Sequence, residues 1–202
     1  LTFNIYGFFM GLGGLVILST IYNRYKDRFS IWDYLLLLLG ALIGARGLFL
    51  GHNILKHRGG ELSALAISEG GLALYGALLG LLISAIIISG RRKIPLLKIT
   101  DALFLNFPLA QSLGRMGNFF NYELYGRPTS LPWAVSIPED RRLEGYESFS
   151  TFHPVFLYEI ILNLLNWGLL QLLARNRKIK DGTITFVFLL VYALIRLLMN
   201  TI

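Results

Sequence analysis

The sequence of 202 residues contains no cysteine, which excludes disulfides, thiolate metal sites and a cysteine nucleophile within the chain itself. Charge is scarce too: Asp, Glu, Lys and Arg together make up 15% of residues, where a soluble domain carries about a quarter. Histidine appears three times, as His52, His57 and His153, too widely spaced to argue for a metal site. No basic segment precedes the first apolar run, so residues 3–20 are not expected to be a cleavable signal peptide. Both ends of the sequence read as trimmed. What is abundant instead is hydrophobic side chain, 54% of the total, with a mean hydropathy of +0.58. This composition points to an all-α polytopic membrane protein.

Apolar windows of membrane length fall at about 3–21, 31–51, 70–89, 100–120, 153–174 and 183–202, against the ~20 residues that a crossing needs. About six transmembrane helices are therefore expected, in a single integral membrane domain covering 1–202. Basic residues gather in every second connector: Arg24, Lys26 and Arg28; Arg91, Arg92, Lys93 and Lys98; Arg175, Arg177, Lys178 and Lys180. Those three connectors read as cytoplasmic. The N-terminus, the 52–69 connector and the 121–152 segment then lie on the other side. The last is the longest connector, proline-rich, with the mixed-charge run "PEDRRLEGYE", and reads as a small extracytoplasmic arm between spans four and five. Glycine pairs at packing distance (Gly40 and Gly44, Gly47 and Gly51, Gly76 and Gly80) read as sites of close helix contact.

Three arginines, Arg46, Arg115 and Arg196, fall inside expected spans. An arginine at mid-span costs ~2.5–3.5 kcal/mol on the translocon-insertion scale, so each should face a partner or a cavity. Asp33, Asp101 and Glu159 are the candidate counter-charges. Helical spacing places Gln111, Arg115, Asn118 and Tyr122 on one face of the fourth span, and Tyr192, Arg196 and Asn200 on one face of the sixth. Arg46 and Asn53 share a face of the second, as do Glu159, Asn163 and Asn166 on the fifth. Lipid cannot satisfy such faces, so they should turn inward around a polar, basic cavity. The guanidinium fork matches phosphate oxygens bidentately, and phospholipid headgroups are the anions best supplied at that depth. A phospholipid site is the leading expectation; an arginine-lined pathway for small anions is the rival.

The stretch "GRMGNFFNYELYGRPTSLPW", from Gly114 to Trp133, resembles the signature of the prolipoprotein diacylglyceryl transferase family. "YG" at Tyr6–Gly7, "GARGLF" around Arg46, "EGGLALYG" at 69–76, "HPVFLYE" at 153–159 and "YALIR" at 192–196 extend the resemblance over the whole chain. It implies transfer of the diacylglyceryl group of phosphatidylglycerol to the lipobox cysteine thiol of a prolipoprotein, with release of glycerol 1-phosphate. This is the first step of bacterial lipoprotein maturation. The implied partners are phosphatidylglycerol, the lipobox segment of a preprolipoprotein and membrane lipids, with no nucleic acid. No cofactor and no metal are expected. The implied location is the bacterial plasma membrane, multi-pass, with the N-terminus and the 121–152 arm outside.

By the same resemblance Arg115 and Arg196 hold the phosphate and stabilise its charge during carbon–oxygen cleavage. Asn118, Asn121, Glu123, Gly126 and Arg46 are carried over as substrate-binding positions, and Tyr6 as a functional one. Arg46, and His153 with Glu159, can instead brace the bundle. Tyr75 stands where some relatives carry a histidine proposed to activate the thiol, which leaves the identity of the base open. Asn200 stands where the family has an acidic residue, and the family's seventh span is not in this sequence. An inactive lipid-binding relative, or a transporter of lipids or small anions using the same arginines, are the alternative functions.

Overall fold

The computed structural model describes residues 4–56, 70–176 and 178–202. Residues 57–69 of the 52–69 connector, Glu69 of "EGGLALYG" and Arg177 lie outside the described residues, and so does the Asn53 side chain. Among the described residues seven α-helices follow in chain order: α1 (Ile5–Tyr25), α2 (Ile31–Lys56), α3 (Gly70–Arg92), α4 (Leu96–Phe104), α5 (Phe107–Phe120), α6 (Val155–Arg175) and α7 (Thr183–Met199). The only strands among the described residues, β1 (Val135–Ser136) and β2 (Thr151–Phe152), pair antiparallel inside the 121–152 segment. The chain is an all-α polytopic membrane protein, as its composition led us to expect. Among the described residues four stretches are long and apolar enough to cross a membrane: Ile5–Tyr25, Ile31–Leu48, Tyr75–Arg92 and Val155–Arg175. Thr183–Met199 is apolar and shorter.

The expected fourth span is not one helix. The chain breaks between α4 and α5 at Leu105–Asn106. Pro108 has no N–H to give the preceding turn and disfavours helical backbone before it. Freed backbone in an apolar setting must find new partners, and here Gln171, itself held by Asn106, supplies one to the Leu105 carbonyl. The Gln171 amide donates to the Leu105 carbonyl at 3.4 Å and to Asn106 Oδ1 at 2.8 Å. Trp167 Nε1 also donates to Asn106 Oδ1, at 2.7 Å, and Asn106 Nδ2 donates to Thr20 at 2.8 Å. At 14 residues, α5 is roughly 21 Å long, short of the ~30 Å hydrocarbon core.

The molecule divides into two compact units, residues 24–100 and residues 1–23 with 101–202. In the first, α2 and α3 meet through glycine. A Cβ added at Gly80 would collide with the Gly40 carbonyl, and one at Gly44 with the Gly76 carbonyl; Ser84 donates to the Leu36 carbonyl at 2.9 Å. Two of the three glycine pairs therefore face each other. The third does not pack: a Cβ at Gly47 or Gly51 meets nothing within 4 Å among the described residues. Asp33, fully buried, caps the start of α2 by accepting from the Ser30 N–H at 2.8 Å and pairs with Arg92 at 2.5 Å.

In the second unit α1 lies antiparallel on α5. A Cβ at Gly13 would meet Ala110, one at Gly114 would meet Met10 Sδ, and one at Gly117 would meet the Tyr6 ring. Asp101 caps α7, accepting from the Gly182 N–H at 2.7 Å and from the Thr185 N–H at 2.8 Å, where the helix dipole favours a carboxylate. The 121–152 segment is organised around buried Phe152 and Ile137, with Tyr125 and Tyr146 against Phe152 at 4.8 and 6.3 Å between ring centroids. The Tyr125 hydroxyl donates to the Arg141 carbonyl at 2.8 Å. Burial pushes this phenol above its usual value, so it keeps its proton to donate.

The glycine contact predicts an asymmetric response to alanine. Gly80→Ala should destabilise the protein by about 1–3 kcal/mol, as overpacking does. Gly90→Ala, where a Cβ meets nothing within 4 Å among the described residues, should be neutral or stabilising by up to about 1 kcal/mol. Thermal unfolding of both variants in detergent checks the pair.

Candidate functional site

The sequence "GNFFNYEL" ends α5 in a way that sets up the site. The Glu123 N–H bonds back to the Asn118 carbonyl at 2.9 Å and the Tyr122 N–H to the Phe119 carbonyl at 3.2 Å. These are the two bonds of a Schellman motif. Its left-handed position, usually glycine, is Tyr122 at φ 56°, and Leu124 follows at φ 57°. Each non-glycine residue there costs roughly 1–2 kcal/mol, and both side chains are used. Leu124 packs against Val155, Ile195 and Met199, while Tyr122 lines a cleft. The helix thus stops before Tyr122, which leaves the polar stripe expected with Gln111, Arg115 and Asn118, and the reversal returns Glu123 towards Asn118.

Arg115, Asn118, Glu123 and Asn121 form one hydrogen-bonded chain with residues of α6 and α7. Arg115 Nε donates to Glu159 Oε2 at 2.5 Å, and Arg115 Nη1 donates to Asn118 Oδ1 at 3.2 Å. The Asn118 amide donates to Glu123 Oε2 at 3.2 Å, and the Asn121 amide donates to Glu123 Oε1 at 3.4 Å. On the other side, Arg196 Nη1 donates to Glu159 Oε1 at 3.0 Å. One carboxylate, with a side chain only 2% exposed, therefore joins two arginines from different helices. Of its five N–H groups, Arg115 uses two and Arg196 one among the described residues. Their side chains remain 21% and 37% exposed.

Charge arithmetic gives this arrangement its chemistry. Two guanidiniums on one carboxylate leave a formal +1, the complement of a phosphodiester's single negative charge. Glu123 stands one amide further off, across Asn118. Burying Glu159 alone would be prohibitive; paired on both oxygens it is held. The free guanidinium edges can accept a bidentate phosphate without moving the carboxylate that orients them.

The remaining expected residues fall as follows. Tyr6 on α1 packs its ring on Gly117, where a Cβ would lie 2.7 Å from the ring carbon Cδ2. Gly126 is a position of close approach: a Cβ there would lie 2.8 Å from Val155 Cγ2 and 3.1 Å from the Ile202 carbonyl. Arg46 on α2 and Tyr75 on α3 belong to the 24–100 unit, and both side chains are exposed. The shared carboxylate thus gathers two of the three arginines that the sequence places inside expected spans. Of the candidate counter-charges, Glu159 takes that role, Asp33 pairs with Arg92 and Asp101 caps a helix. His153 Nδ1 lies 3.1 Å from the Tyr158 hydroxyl, which also accepts from Trp133 Nε1 at 2.7 Å, tying the 121–152 segment to α6. Sequence spacing does not reveal that Glu159 is shared, nor that Asp140 and Arg141, in the mixed-charge run, line a cleft with Glu123.

Removing the shared carboxylate should expose this dependence. Glu159→Ala leaves two arginines facing each other without a counter-charge, and should destabilise the protein by roughly 3 kcal/mol, the lower end for a broken buried pair because Arg196 keeps some water. Denaturant unfolding in micelles checks it, with Glu159→Gln expected to restore shape and little of the loss.

Comparison with known proteins places the chain. The family model for prolipoprotein diacylglyceryl transferase matches residues 1–202. A phosphatidylglycerol–prolipoprotein diacylglyceryl transferase of Synechococcus elongatus is 39% identical over 173 residues, covering 83% of this chain and 58% of that protein. One from Thermotoga petrophila is 37% identical over 164 residues, covering 80% and 56%. One from Parasynechococcus marenigrum is 36% identical over 207 residues, covering 98% and 74%. The chain spans a little under 60% of the length of the first of these relatives. With a match along all of its residues, the chain belongs to the prolipoprotein diacylglyceryl transferase family.

Proposed function

We propose that the protein transfers the diacylglyceryl group of phosphatidylglycerol to the thiol of a prolipoprotein lipobox cysteine, releasing glycerol 1-phosphate. The observation that carries the reading is the convergence of Arg115 and Arg196 on Glu159, in a chain of this family. The relatives named above are called phosphatidylglycerol–prolipoprotein diacylglyceryl transferases. The protein acts in the bacterial plasma membrane, with its N-terminus and the 121–152 arm on the extracytoplasmic side.

In the reaction, the cysteine sulfur attacks the glyceryl carbon bound to phosphate. A carbon–sulfur bond forms, the carbon–oxygen bond breaks, and its electron pair stays on the departing phosphate oxygen. The thiol proton passes to a base. The chain's contribution is electrostatic: guanidinium donors fixed before substrate arrives stabilise the charge that grows on that oxygen. Arg115 and Arg196 supply the donors and Glu159 orients them. Asn118 and Asn121 hold Glu123, and Asn118, bonded to Arg115, meets the headgroup. Tyr6, pressed on Gly117, and Gly126, which lets the arm approach α6, shape the walls. Arg46 and Tyr75 are the further positions that the family resemblance carries over, as a substrate-binding and a catalytic residue, and it leaves the base unassigned.

The test is an assay of purified protein in vesicles with phosphatidylglycerol and a lipobox peptide. A thioether-linked diacylglyceryl peptide is the expected product; lipid binding without product would favour a lipid-binding relative. Arg115→Lys, which keeps the charge and loses the fork, should lower kcat by about 10²–10³, as losing one transition-state donor does. Full activity in that variant would remove the bidentate role.

A further inference from the structure

A cleft of about 370 Å³ opens where the end of α5 faces the 3-10 turn Glu139–Arg141. Phe120, Tyr122 and Pro138 give it apolar walls, and Glu123, Asp140 and Arg141 give it polar ones. Its size suits one or two residues of an extended chain rather than a whole lipid.

Its chemistry is the opposite of that at the arginine pair. Two carboxylates against one guanidinium leave a formal −1, which repels a phosphate. Carboxylate acceptors and a guanidinium donor do suit the N–H and C=O groups of a polypeptide backbone, with the ring walls taking an apolar side chain. Asp140 and Arg141 lie 3.5 Å apart, with side chains 77% and 59% exposed, so their hydrogen-bonding capacity faces water rather than the fold. The turn that presents them is fixed from behind, through the Arg141 carbonyl, by Tyr125.

The cleft is also joined to the arginine pair. Glu123 lines the cleft and accepts from Asn118, whose own carbonyl accepts from Arg115. A ligand in the cleft therefore touches the last member of the chain that starts at the phosphate donors.

We propose that this cleft is the docking site for the acceptor polypeptide, holding the extended segment beside its cysteine through backbone contacts to Asp140, Arg141 and Glu123. The proposal rests on the transferase reading above and adds where the second substrate binds. It separates the two substrates by charge: the anionic lipid at Arg115 and Arg196, the peptide at the acidic cleft.

The test is photo-cross-linking in phosphatidylglycerol vesicles, using a lipobox peptide with a diazirine residue next to its cysteine. Cross-links should map to residues 120–123 and 138–141. Asp140→Ala and Arg141→Ala, at exposed side chains, should each weaken peptide capture about tenfold, the equivalent of one charged hydrogen bond. Binding of a short-chain phosphatidylglycerol should be unchanged in both. Cross-links that map elsewhere, or capture that both variants leave intact, would overturn the cleft assignment even if transfer proceeds. Cleft cross-links that short-chain phosphatidylglycerol still competes away in an Arg115→Lys background would make it a lipid site and overturn it equally. Absence of both lipid binding and thioether product, with cleft cross-links retained, would instead sink the transferase reading and leave a peptide site standing.

Discussion

The buried carboxylate of Glu159, bonded on one oxygen to Arg115 and on the other to Arg196, is the contact on which the rest of the unit depends. It makes two half-buried arginines tolerable against a buried carboxylate, where any one of the three charges alone would be expensive. It fixes them relative to each other, because α5, α6 and α7 each contribute one member and none can shift without breaking an ion pair. It also leaves a net positive charge and unused N–H groups among the described residues, so the same arrangement that supports packing leaves donors suited to an anion.

The surrounding fold holds that carboxylate in register. Ala110, Gly114 and Gly117 keep one face of α5 small, so that α1 approaches closely and Tyr6 sits on Gly117. The break before Pro108 shortens α5, and Gln171, held by the Asn106 side chain, meets the Leu105 carbonyl there. At the other end the Schellman reversal turns Glu123 back towards Asn118. Two left-handed residues without glycine are retained there because Leu124 fills the space beside Val155 and Ile195. Asp101 anchors the start of the helix that carries Arg196.

Much of this is legible in the sequence, for physical reasons that differ by residue. Membrane character follows from composition, and the inward polar face of α6 from helical spacing, since lipid offers no partner: Glu159, Asn163 and Asn166 are all buried, whereas Arg46 and Asn200, placed on such faces by the same spacing, are exposed. Gly40, Gly44, Gly76 and Gly80 are legible as packing residues because closeness is what their size permits. Gly47 and Gly51 share that spacing without packing, so spacing alone does not decide which glycines are used. The broken fourth span was hidden because hydropathy averages over Asn106 and Pro108. Helical spacing puts Tyr122 on the stripe because nothing in a tyrosine announces a left-handed backbone. The cleft needs the fold of the 121–152 segment, which local pattern does not give.

The central claim is that Arg115 and Arg196 bind phosphate as a coupled pair rather than as two separate cations. Affinity for a short-chain phosphatidylglycerol, measured for the parent protein, Arg115→Gln, Arg196→Gln and the double variant, tests it most directly. The account predicts a coupling energy of about 1 kcal/mol or more between the two substitutions, whereas losses that add within about 0.5 kcal/mol would contradict it.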